Sequence, residues 1–150
     1  MTWTGAIAAI DADLRLAAAD VTPAVPIVKY GEPDALNADT IWYAPTGRRD
    51  SATGGNTFGK VNIERAVQVT ALLRGSVRAG VMDQTLEERL IALDAALLTR
   101  LWSDLFLGGH AIGIELGDAS YDWAEVAGQL ARSLTFTLWV DLSEVADITA

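Results

Sequence analysis

Apolar residues recur at helical spacing along the first twenty positions. Ile7, Ile10, Leu14 and Ala17 or Ala18 form one stripe, and Asp11, Asp13 and Arg15 fall away from it. Thr4 is placed to cap this helix, and it must end before Val21-Thr22-Pro23, since a residue before proline is pushed out of helical geometry. Two short strands are predicted next. One holds Ile27, Val28 and Tyr30 and closes at the turn Gly31-Glu32-Pro33-Asp34; the other is Thr40-Ile41-Trp42-Tyr43, rich in β-branched and aromatic residues. From Pro45 to Lys60 the periodicity stops, and the Gly, Ser, Thr and Asn content predicts a long surface loop.

Period-two alternation then sets in. Val61, Ile63, Val67, Val69, Ala71 and Leu73 share one parity, with Arg65 the single lapse, and Asn62, Glu64, Gln68 and Thr70 share the other. A strand over 60–74 would span about 45–50 Å at 3.3 Å per residue. A domain of this size has a diameter of about 40 Å, so such a strand is expected to project beyond the body. A second helix follows: Thr85 and Glu88 fit a capping box, and Leu86, Leu90, Leu93, Leu97 and Leu101 recur every three or four residues. Ile91, Leu98, Trp102 and Leu105 widen this stripe, and Gly108-Gly109 is read as its end. Ile112, Ile114 and Leu116 predict a further strand, residues 118–123 read as either loop or strand, and Leu130, Leu134, Phe136, Leu138, Val140 and Leu142 place a closing strand. The expected fold is one α+β domain over 1–150, in the order α-β-β-β-α-β-β. Its mainly antiparallel sheet is covered on one face by two helices and carries a long protruding loop or hairpin.

Composition narrows the functional classes. With 150 residues, 51% hydrophobic and 21% charged, the chain can bury a real core. The absence of cysteine excludes disulfides, thiolate metal sites and cysteine nucleophiles. The apolar runs are too short for a membrane span, and the first residues, Met1-Thr2-Trp3-Thr4-Gly5, lack the basic region of a signal peptide. A net charge of −9 is unsuited to holding nucleic acid.

Candidate chemistry is sparse. Gly54 to Lys60 matches G-x-x-x-x-G-K, but a phosphate loop needs Ser or Thr next and a helix after it; here Val61 follows and opens a strand. His110, the lone histidine, shares parity with Ile112 and Ile114 and reads as a strand-end residue, and no G-x-S-x-G elbow is present. Asp118 and Asp122 are the best-placed carboxylate pair, although a solvated turn accounts for them better. No catalytic, cofactor-binding or metal-ligating residue is assigned, and no cofactor is expected. Arg48, Arg49 and Lys60 gather scarce positive charge near Phe58, which suits a contact arm meeting an acidic surface. Trp3 and Trp139 are the aromatic positions expected at the surface.

The layout as a whole resembles phage tail terminator proteins of the long, non-contractile tail type. The resemblance runs through the opening helix, Ile41-Trp42-Tyr43, the glycine-rich loop, the strand Val61 to Leu73, the helix Leu86 to Leu105 and the strand Ser133 to Leu142. It implies a structural virion protein, not an enzyme, that forms a hexameric ring. Such a ring caps the tail tube, ends its polymerisation and joins the head. The implied partners are further copies of the chain, the tube protein and a head-completion or connector protein. DNA passes through without sequence-specific binding, and no membrane is involved. The place implied is the head-proximal end of the tail, with assembly in the host cytoplasm. The residues that inherit the assembly role are Arg48, Arg49, Phe58, Lys60, Val61, Ile63 and Arg65, with Trp139 added as an exposed aromatic. The competing readings are a head-completion, connector or tail-tube subunit and, less favoured, a small nucleotide-binding enzyme using Gly54 to Lys60.

Overall fold

The structure, a computed structural model, describes residues 2–50, 60–74 and 84–147. Helix α1 (Trp3–Asp20) is capped by Thr2, whose hydroxyl accepts the Gly5 N–H at 3.1 Å. Thr4, the cap expected from the sequence, lies inside the helix: the extended backbone a cap requires occurs two residues earlier. Strand β1 (Ile27–Tyr30) pairs in parallel with β2 (Thr40–Asp50), which pairs antiparallel with β3 (Lys60–Leu73). Helix α2 (Gln84–Trp102) contains Thr85 within its first turn, so Thr85 is not its cap either. The helix stops at Trp102 and not at Gly108-Gly109, and turns then lead to a short 3-10 segment at Leu107–Gly109. Strands β4 (Gly113–Leu116) and β5 (Ser120–Val126) both pair with one edge of β6 (Gln129–Asp147), whose other edge takes β3. The result is a mostly antiparallel six-stranded sheet with two helices, an α+β fold, ordered β1-β2-β3-β6-β4 with β5 also on β6. The ambiguous segment 118–123 resolves as strand from Ser120 onward.

Cross-strand partners share a face, so register assigns the sides. Val67 with Leu138, Val69 with Phe136 and Ala71 with Leu134 fall on one face, and all are buried. They share a single cluster with Ala6, Ile10, Leu14 and Ala17 of α1 and with Leu86, Leu90, Leu93, Leu97 and Leu101 of α2. The buried stripe of α2 is narrower than the sequence suggested. Ile91, Leu98 and Trp102 remain 57%, 47% and 52% exposed, because they sit at the flanks of a helix that presents one row of leucines inward. Opposite parity is also buried at one end: Leu36, from the β1–β2 connection, packs with Leu72 and Ala131. Arginines hold that connection in place. Arg89 donates to Pro23 O at 2.8 Å and pairs with Asp39, and the Arg74 N–H donates to Asp39 Oδ1 at 2.7 Å. No described helix is long and apolar enough to cross a membrane.

Two positions depart from the sequence reading where α1 meets its neighbours. Asp13 is buried, because the side of the helix next to Ile10 meets the turn after α2. His110 is a turn residue whose imidazole lies against Gly5: an ideal Cβ on Gly5 would come within 2.8 Å of its Cγ and 2.7 Å of its Cε1. Gly5→Ala therefore requires the exposed His110 side chain to swing aside, and is expected to destabilise the protein by about 1 kcal/mol or less. In a His110→Ala background the same change should be stabilising, by up to about 1 kcal/mol from helix propensity. Thermal denaturation of the four proteins of this double-mutant cycle checks the reversal of sign.

Candidate assembly surface

The buried residues of the main cluster end, along the three longest strands, at Tyr43, Val67 and Val140, with half-buried Leu142 and Trp3 packed against them. The strands themselves continue. β2 runs on to Asp50, β3 begins at Lys60 and β6 reaches Asp147, so a three-stranded ribbon extends past the core. Residues 45–50, expected as loop, are thus strand. Their backbone groups pair with Ile63 to Val67, and this ladder overrides the turn chemistry of Pro45-Thr46-Gly47. Residues 51–59, including Phe58 and most of the Gly54–Lys60 motif, lie outside the described residues.

Two irregularities shape the ribbon. Thr46 is an extra residue between the pairs Pro45–Val67 and Gly47–Ala66, and Leu142-Ser143 are extra between Asp141–Glu64 and Glu144–Ile63. Ser143 takes up the second with a φ of +58°, in the left-handed region. Odd-numbered residues of β2 share the core face before Thr46, and even-numbered ones take it afterwards. Arg48 consequently stands beside Arg65 on the core side, while Arg49 pairs with Glu64 on the opposite side.

On the core side, Trp3, Pro45, Arg48, Arg65, Leu142 and Glu144 line a groove of about 640 Å³. Arg65 makes a bidentate pair with Glu144, at 2.9 and 2.5 Å. That pairing raises the Arg65 pKa and, by the same hydrogen bonds, holds the Glu144 carboxyl below its usual range. Arg48 is exposed and makes no ion pair among the described residues. Trp3, expected at the surface, is half-buried against the core cluster.

On the opposite side Arg49 lies over the Trp139 ring, 4.1 Å from its centroid, and donates to Glu64 at 2.8 Å and to Glu115. Burial alone would lower the Arg49 pKa, and the bonds to Glu64 and Glu115 outweigh it and raise it. Trp139 is half-buried beneath this guanidinium. A hollow of about 350 Å³ beside it is lined by Ile112, Ile114, Glu115 and Asp141.

The ribbon therefore brings together Arg48, Arg49, Lys60, Val61, Ile63 and Arg65, with Trp139 at its base. Lys60 and Val61 open β3, paired with Asp147 and Ala146. Ile63 is buried, and Arg49 and Arg65 are engaged within the chain. Arg48 is an exposed candidate with no acidic partner among the described residues. The partnership of Arg49 with Glu115, from a strand 66 residues away, left no local signal in the sequence. Neither His110 nor the carboxylates form a metal cluster: among the described residues no three His, Asp or Glu side chains gather. Asp118 lines a separate hollow of about 310 Å³ with Asp94, Leu98, Trp102 and Phe136, away from Asp122, which pairs with Ser133 on the opposite face.

Comparison with protein-family profiles and with curated protein sequences finds no match for this chain.

Arg49→Ala removes charge-assisted bonds from Glu64, whose side chain is only 9% exposed, and uncovers Trp139. The expected cost is about 1.5–3 kcal/mol in chemical denaturation. Arg49→Lys should recover only part of it, because an ammonium lacks the planar fork that reaches two carboxylates.

Proposed function

We propose that this chain is a structural virion protein that assembles into a ring at the end of a long, non-contractile phage tail. The ring caps the tube, ends its polymerisation and offers the head a joining surface. The observation that carries this reading is the three-stranded ribbon. It carries the sheet past the buried residues of the main cluster and leaves Arg48 exposed on a chain of net charge −9. An exposed cation on an otherwise acid-rich protein is suited to steer contact with an acidic neighbour, including a second copy. The acidic excess suits a passage through which DNA slides without being held. Further copies of the chain, the tube protein and a head-completion protein are the partners this reading calls for, and the overall layout supports it through its resemblance to tail terminators.

The test is assembly on isolated tail tubes, followed by light scattering and negative-stain imaging. The protein should form rings at one tube end and halt elongation. Arg48→Glu should keep its thermal midpoint within a few degrees of the parent, since exposed positions away from special contacts change stability by about 0.5 kcal/mol or less, yet lose ring formation. A protein that stays monomeric with tubes present overturns the proposal. Unlimited polymerisation identifies a tube subunit instead, and binding to filled heads without tubes identifies a connector. ATP or GTP binding in calorimetry, abolished by Lys60→Ala, would revive the nucleotide reading.

A further inference from the structure

The junction between α1 and the turn after α2 contains an arrangement that the assembly reading does not use. Asp13 is 8% exposed, and its Oδ2 is buried without a hydrogen-bond donor among the described residues. The 3-10 segment after α2 packs against α1, and the carboxyl that acts on Asp13 is that of Asp104 in the turn leading to it. Asp104 is itself fixed as an acceptor: it takes the Gly108 N–H at 2.8 Å, and its backbone carbonyl takes the Leu107 N–H at 2.9 Å. Two ionised carboxylates have only acceptors to offer each other, and bringing them together away from water costs both repulsion and desolvation. A single proton between them turns the contact into an O–H···O bond.

We propose that Asp13 and Asp104 form a proton-binding site, in which one shared proton clamps the turn 103–110 to α1. The ligand is the proton itself, and ionisation of the site loosens that junction.

The surroundings agree. Asp13 sits on the buried side of α1 between Ile10 and Leu14, and Leu101 and Leu107 belong to the same cluster. Burial is the main influence raising the Asp13 carboxyl, to about 7, and the hydrogen bond and charge of Asp104 add to it. The one opposing charge is Arg100 of α2, whose guanidinium is occupied by Asp20 at 2.7 and 2.8 Å. The charges that act on Asp13 are those of Asp104 and Arg100. The clamp secures a turn that buries Leu107, sets His110 on Gly5 and delivers the chain to β4, where the Ile112 N–H donates to Asp141 O at 2.8 Å.

The sign of the pH dependence follows. The folded carboxyl titrates near 7 and the unfolded one near 3.8. Between these values the folded chain holds a proton that the unfolded chain has released. The stabilisation is complete below the unfolded value and is lost as pH rises toward 7, with the folded-to-unfolded ratio falling about tenfold per pH unit. Asp20 and Glu144 are shifted the other way by their arginines, and their contributions are already in place by about pH 5.

The experiment compares the full chain with Asp13→Asn between pH 5 and pH 8. The amide introduced by this substitution donates to the Asp104 carboxylate without needing a proton, and the variant retains His110, so any imidazole contribution cancels. Denaturant midpoints should fall with pH in the parent relative to Asp13→Asn, and the variant should be the more stable protein at pH 8. In parallel, carboxyl-carbon NMR of the parent, which requires no variant to fold, should show Asp13 titrating near neutrality. An Asp13 resonance titrating near pH 4, or parallel stability curves for the two proteins, overturns the proposal. So does saturable calcium or magnesium binding that Asp13→Asn abolishes, since the site would then hold a metal ion in place of the proton.

Discussion

The pairing of β3 with β6 is the constraint on which the rest of the molecule depends. The two strands run antiparallel along the whole of β3, from Lys60 opposite Asp147 to Leu73 opposite Arg132. Side chains alternate with a period of two, so this one register decides what each strand shows to each side. Val67, Val69 and Ala71 meet Leu138, Phe136 and Leu134 in the cluster that also takes the leucines of α2. A slip of one residue would carry that entire set to the side where Gln68 now meets Thr137 and Thr70 meets Thr135. Every other strand builds outward from this pair: β2 adds to β3 and carries β1, and β4 and β5 divide the free edge of β6 between them. Because both strands run on past the buried residues of the main cluster, the pairing that organises the core also builds the ribbon.

The irregularities then determine what the ribbon displays. Were Thr46 paired in regular register with Ala66, Arg49 would fall on the side of Arg65 and Val67, and Arg48 on the side of Trp139. One inserted residue thus sends Arg49 to Glu64, Glu115 and the indole and leaves Arg48 on the other side. On β6, the extra pair Leu142-Ser143 moves the register without exchanging the faces, and it brings Glu144 opposite Ile63 and within reach of Arg65. Bulges commonly re-aim side chains, and the segment Pro45-Thr46-Gly47 has the composition expected at one.

That composition also explains what was legible in the sequence. Where burial follows a strict period, as in the leucines of α2 or the alternation of β3, the pattern alone located the element and its inward residues. Where backbone pairing and not side-chain periodicity fixes the structure, it failed: Pro45 to Asp50 carries no alternation because no core lies beneath it, only a neighbouring strand. The helix caps failed for a related reason, since Thr2 and Thr4, two residues apart, offer the same side chain and only the backbone angles choose between them. Asp13 was misplaced because a carboxylate next to a hydrophobic stripe is normally solvated; its burial depends on the turn that holds Asp104, far along the chain. Of the assembly candidates, the clustering of Arg48 and Arg49 was visible as composition. Their opposite roles were not, because they are set by a single bulge.

The arginines complete the account. In a chain with 20 acids and 11 bases, most described arginines are committed to links between distant elements. Arg100 ties α2 to Asp20 of α1, Arg132 ties β6 to Glu87 of α2 while lying over Trp123, and Arg89 ties α2 to the β1–β2 connection. Such internal use of cations strengthens the fold, and because each pair withdraws an acid together with its base, the net charge of −9 stands with few cations left uncommitted. Copies of this chain would repel one another over most approaches, and the repulsion is relieved only where an uncommitted cation is presented. Arg48 is such a cation, exposed on the ribbon beside Arg65. For the proposed ring, one favoured contact among many unfavourable ones would come more directly from a charge distribution of this kind than from a broad apolar patch, which would also accept wrong partners.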